Sequence, residues 1–276
     1  LLGHRDAALL PPRIARGVNA AGEGERLPPS IGGLIDLGLA TWATRAPLYL
    51  ALSAALFALC GAVEALWPAH TDSARVLKVL VVVYGELFGL AYIVAAAALG
   101  VATRVAGEHV STRLLLAGAL ERWPAVLGAM IVVQLVVELT LPFSALGPLP
   151  DPAVLALFTA PIIWLLWGVI NLAGPIAALS GERPLIALLT SFARAIGLSL
   201  RPGNFVRVCV LGFATIVPTL IASVLFDVLG KRAVPHIAFW AAIPIDMLTV
   251  GPLAAIQTAF ALDFARRAGA TEQRPP

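Results

Sequence analysis

The sequence predicts an all-α membrane protein, with six transmembrane helices in three hairpins, each hairpin preceded by a cytoplasmic interfacial amphipathic helix. Three observations predict it. Six apolar segments, at 46–67, 79–101, 125–145, 153–179, 205–228 and 237–262, each supply the roughly 20 helical residues that a hydrocarbon core of ~30 Å requires. The composition is 59% hydrophobic and 13% charged with a mean hydropathy of +0.91, against about 25% charged residues in soluble domains. Lys and Arg, finally, fall almost entirely into alternate connections between those segments.

Residues 1–29 lack the apolar core of a cleavable signal peptide and are broken by Pro and Gly, so they are expected as a flexible cytoplasmic arm. The membrane domain is expected over 30–268 and a cytoplasmic tail over 269–276. Ser30 stands where a helix cap is needed, and Ile31, Leu34, Ile35 and Trp42 then form an apolar stripe, with Asp36, Thr41 and Thr44 between them. After the second span comes Gly107-Glu108-His109-Val110-Ser111-Thr112-Arg113-Leu114-Leu115. After the fourth comes Gly181-Glu182-Arg183-Pro184-Leu185-Ile186-Ala187-Leu188-Leu189, which shares the opening Gly-Glu and the closing Leu-Leu. In this second copy Pro184 suits a first helical position, and Leu185, Leu188, Leu189, Phe192 and Ile196 share one face, with Thr190, Ser191 and Arg194 off it. Gly24-Glu25-Arg26 before the first span is a weaker third copy. The plan is three units, each an interfacial helix followed by a two-helix membrane hairpin.

Orientation is read from the basic residues. Fifteen of the nineteen lie before the first span, in the second-to-third and fourth-to-fifth connections, and in the tail. The opposite connections carry only Arg75, Lys78, Lys231 and Arg232, so both termini are expected in the cytoplasm. The interfacial helices sit on the basic side, where Arg113, Arg122, Arg183 and Arg194 are candidate contacts for anionic headgroups. Those helices either meet lipid or serve as connectors packed on the bundle. The basic residues lack aromatic interleaving, and nucleic acid is not an expected partner.

Polar residues inside spans are costly in lipid and mark a candidate intramembrane site: Glu86, Glu138, Asn171 and Asp246. Glu86 lies between Gly85 and Gly89, whose spacing allows close helix contact, and Glu138 shares a face with Gln134. A proton or substrate path could run along Glu86, Glu138 and Asp246; alternatively each group is hydrogen-bonded and clamps helices together. No basic residue lies deep in a span to pair with these acids, with Arg207 at the entrance of the fifth. Cys60 and Cys209 both fall inside spans and read as small buried apolar residues.

The segment GPIAALSGERPLIALLTSFARAIGLSLRPGNF, from Gly174 to Phe205, resembles the signature loop of the glycerophosphoryl diester phosphodiesterase membrane domain family, uncharacterised multi-pass bacterial proteins among its members. Ser191, Arg194 and Asn204 are the matching positions. The stretch from Ser30 to Tyr49 is similar to that family's first interfacial helix, and Asp263 to Arg267 resembles its ending, except that Phe264 and Ala265 follow the Asp. The resemblance implies a bacterial plasma membrane module that some relatives fuse to a soluble enzyme. It implies no activity here: such an enzyme needs a barrel with paired His and a carboxylate-held cation, and His4, His70, His109 and His236 are scattered. Nor does the chain hold a Gly-rich phosphate loop or a nucleophile elbow. The expected function is therefore a non-catalytic membrane module interacting with lipid, a protein partner or a second copy of itself, without metal or cofactor. The alternative is a small transporter or channel using the intramembrane acids.

Overall fold

Ser30 starts the first helix as expected: its hydroxyl accepts a hydrogen bond from the Gly33 N–H at 3.1 Å, and α1 runs over Ile31–Thr44. The computed structural model describes residues 27–28, 30–67, 70–144, 152–180, 184–201, 203–232 and 235–272. Arg45 alone separates α1 from α2 (Ala46–Leu66); its ψ of 22° breaks the helix, and Pro47 comes next where an N–H has no helical partner. The Thr71 hydroxyl caps α3 (Asp72–Val105) by accepting from Ala74 N–H. That helix ends in a turn at Gly107, whose φ of 71° is the left-handed conformation that glycine adopts without strain. Then come α4 (Thr112–Ser144), α5 (Pro152–Ser180), α6 (Pro184–Ser199), α7 (Phe205–Arg232) and α8 (Pro235–Glu272).

The described residues are all-helical, without a strand. Four stretches among them are long and apolar enough to cross a membrane: Ala46–Val63, Asp72–Val105, Thr112–Leu135 and Met247–Arg267. The chain is thus of the all-α membrane class. At 34 and 33 residues, α3 and α4 are each about 50 Å long, well beyond a hydrocarbon core.

One of the expected interfacial helices differs from expectation. Residues 112–121 are not a separate amphipathic helix; they are the first turns of α4, which continues through Pro124 without a break. One proline removes a single backbone hydrogen bond, which a long helix in a bundle tolerates. For α1 the packing matches the alternative of a connector held on the bundle. Leu34, Leu37, Gly38 and Thr41 are buried, and α1 packs along α8 and against α3. Only α6 stands as a free amphipathic helix between two longer ones, packed on α4 and α5.

The core forms around α8, which meets α1, α2, α3, α5 and α7. Small residues set these crossings. A Cβ at Gly38 would stand 2.7 Å from the Cα of Ile256, so α1 and α8 touch backbone to backbone. Gly89 instead makes room for the side chain of Leu56 of α2. Between α3 and α4 the contact is aromatic: Trp123 Nε1 donates to Phe88 O at 2.9 Å, the two rings meet edge-on at 5.3 Å, and Tyr92 Oη donates to Leu116 O at 3.1 Å.

Candidate functional site

The four candidate intramembrane residues lie on four helices. Glu86 is partly buried on α3, beside the glycines that receive α2. Asn171 bridges α5 and α8: its Oδ1 accepts from Gln257 Nε2 at 2.9 Å, while its Nδ2 donates to Trp167 O at 2.7 Å. Both ends of this amide are satisfied, which makes it a helix clamp. Glu138 lies in α4 and Asp246 in α8, with side chains outside the described residues. Gln257 was the polar partner not singled out from the sequence, although a Gln inside an apolar stretch is itself the signal.

The strongest charged cluster sits where α7 begins and α8 ends. Asp263 is fully buried. Its Oδ2 accepts from Arg207 at 3.0 Å and from Arg267 at 2.7 Å, and its Oδ1 accepts from Arg266 at 2.6 Å. Arg266 also donates to the backbone carbonyl of Leu27, tying the segment before α1 to the end of α8. A carboxylate buried this completely requires such partners, and three guanidiniums around it leave a local excess of positive charge. Next to it, Asn204 opens α7 after the positive-φ turn at Gly203, and its Nδ2 donates to Leu198 O at 2.9 Å. This cluster joins three separate parts of the chain.

A cavity of about 530 Å³ lies between the end of α1 and the end of α3. It is lined by Thr41, Thr44, Arg45, Gly100, Thr103 and Arg104, with Gly107, Glu108 and His109 at the turn. Arg45 is anchored, because Nη2 donates to Val110 O at 2.9 Å. Its Nη1 is buried without a hydrogen-bond partner. An unmet donor of this kind carries a desolvation cost of about 1–3 kcal/mol. The three threonine hydroxyls donate to carbonyls of their own helices, at Leu37, Thr41 and Leu99.

The candidate headgroup arginines are dispersed. Arg113 is exposed at the start of α4, Arg122 and Arg194 are partly buried, and Arg183 lies outside the described residues. Among the described side chains of α6, Ala187, Ser191, Ala195, Leu198 and Ser199 are buried, with the Ser191 hydroxyl enclosed and unpartnered. Ile186 and Ile196 are exposed, as are Leu200, Phe205 and Val206 where the chain turns into α7. Among the described residues no three His, Cys, Asp or Glu side chains are grouped to hold a metal ion. No family model, no curated protein and no solved structure matches the chain.

Proposed function

We propose that the chain is a non-catalytic integral membrane module of six spans, arranged as three hairpins with both termini in the cytoplasm of a bacterial cell. It works by contact with membrane lipid, or with an envelope partner at the lipid surface, through its basic face. Membership in the glycerophosphoryl diester phosphodiesterase membrane domain family, without the catalytic domain, is part of this proposal. It is supported by Asn204 and Asp263, residues of the resembling segments, which are buried and hydrogen-bonded near the α7–α8 junction.

The observation that carries the reading is the exposed apolar surface of α6 and of the turn into α7. A soluble amphipathic helix buries its large apolar side chains and exposes small or polar ones. On and just after α6, Ile186, Ile196, Leu200, Phe205 and Val206 are exposed, close in sequence to Arg194 and Arg201, while Leu198 is buried with Ala187, Ser191 and Ala195. Large apolar groups beside arginines suit an acyl boundary below anionic headgroups.

Two assays on one proteoliposome preparation test this. A photoactivatable phospholipid is expected to label the peptide 184–206 above other connections, and a trapped pH dye is expected to report no proton flux beyond that of empty vesicles. Flux abolished by Glu86→Gln would replace the module by the transporter reading; absence of label from 184–206 would remove the lipid role of α6.

A further inference from the structure

Neither the helix clamps nor the Asp263 cluster accounts for the indole of Trp42 on α1, which lies against a weak point of α8. We propose that α8 is hinged at Gly251–Pro252 and bends to match the thickness of the bilayer, with the Trp42 indole as its latch; this rests on the reading of the chain as a membrane module. Pro252 carries no N–H, so it gives no helical hydrogen bond to the Leu248 carbonyl one turn earlier. The helix nevertheless runs unbroken over Pro235–Glu272. A Cβ at Gly251 would stand 2.9 Å from both Cδ1 and Nε1 of Trp42 and 3.1 Å from Tyr49 Cβ, so the indole edge rests on the α8 backbone there. Trp42 Nε1 is enclosed without a hydrogen-bond partner. An indole N–H can only donate, and when buried it ordinarily finds an acceptor.

The surroundings of α8 change at the same point. Leu248 is 55% exposed and Met247, Thr249 and Val250 are half-buried, whereas every side chain from Ala254 to Phe264 is buried. The part after Gly251 is also tied down, by Asn171 on Gln257 and by three arginines on Asp263, and it forms the fixed arm of the hinge. The apolar stretch 237–262 is about 39 Å long as a helix, more than a hydrocarbon core of ~30 Å accepts upright. Helices too long for their bilayer tilt or kink, and they kink where a proline has removed a bond. Bending away from α1 opens the turn between Leu248 and Pro252 on the side where the indole rests. The Leu248 carbonyl then meets the Trp42 N–H, and the bond gained holds the bent form. A thin bilayer favours that form; a thick one favours the straighter helix with the indole packed on Gly251.

The test uses the full chain, with Cys60 and Cys209 replaced by Ala, in vesicles of dimyristoleoyl or dierucoyl phosphatidylcholine, a thin and a thick bilayer. Spin labels at Leu59 on α2 and Phe239 on α8 report their separation by pulsed electron resonance. Phe239 lies about 18 Å along α8 from the hinge, so a kink of about 20° moves it by about 6 Å, and the separation is expected to be larger in the thin bilayer by that amount. Pro252→Ala restores the missing N–H and is expected to remove the difference. In parallel, indole ¹⁵N–¹H spectra, with Trp42 assigned through Trp42→Phe, are expected to show its N–H moving downfield in the thin bilayer as it gains an acceptor. A separation that does not change with thickness overturns the hinge. A change that persists in Pro252→Ala is rigid tilting of α8 and also overturns it. Both of these outcomes leave the lipid-contacting module standing, since that reading fails on the labelling and proton-flux assays instead. Bending without a shift of the Trp42 resonance overturns the latch.

Discussion

The two halves of α3 are built from different residues and meet different surroundings. In the first half Val76, Leu77, Val79, Leu80, Val81 and Phe88 are exposed. In the second, Ala91, Ile93, the four alanines 95–98, Val101 and Ala102 are buried against neighbouring helices. In water the larger apolar residues would go inside. In lipid, apolar side chains gain nothing by leaving the acyl chains, so close packing is left to small residues that let backbones approach. Close backbone approach through a small residue also joins α1 to α8 at Gly38. Along α3, small residues mark the packed half and larger apolar ones the exposed half, whereas elsewhere Tyr49, Phe260 and Phe264 are fully buried.

That contrast can be broken at several strengths, each read by reversible denaturation in mild detergent. The largest effect is expected at the charged junction of the packed region: Asp263→Ala leaves Arg207 enclosed without its carboxylate and is expected to destabilise by about 3–5 kcal/mol. Next, Gly38→Val drives a side chain into the Ile256 backbone, which cannot move aside as a side-chain end would, for a loss of about 1–3 kcal/mol. The Asn171–Gln257 clamp is smaller. A double-mutant cycle with leucine at both positions should give a coupling of about 0.6 kcal/mol, the average for hydrogen bonds between membrane helices. At the far end, Leu77→Ala in the exposed half of α3 should stay within about 0.5 kcal/mol of the parent. A Leu77→Ala loss equal to that of Gly38→Val would mean that the exposed half is packed on protein, and the contrast would fail.

Hydropathy made the helical class, the cap at Ser30 and the stripe of Ile31, Leu34 and Ile35 legible, because these depend on local spacing alone. It did not show that Leu37, Gly38 and Thr41 complete the buried face of α1, since that requires knowing that α8 lies against it. The Gly-Glu repeat pointed to three equivalent interfacial helices, yet α4 runs unbroken from Thr112 while α6 stands alone. Repetition in sequence marked the turn at Gly107 but not the length of the helix after it, which depends on packing against α3 and α6. Asp263 lies just beyond the sixth apolar segment, outside the set of acids for which a basic partner within a span was lacking. The long Arg207 side chain reaches Asp263 from the first turn of α7, a pairing 56 residues apart that no local pattern encodes. The Arg45 cavity was equally hidden, for it joins the break after α1 to the turn after α3 through the Val110 carbonyl, 65 residues away.

Spin labels placed singly at Val81 and Phe88, with Cys60 and Cys209 replaced by Ala, would test the central claim most directly in proteoliposomes. These positions flank Glu86 on the exposed half of α3. The account predicts collision with dissolved oxygen, which concentrates in the acyl region, and little with a water-soluble nickel chelate. Strong collision with the chelate at both positions would mean that this face of α3 meets water and would contradict its reading as lipid-facing.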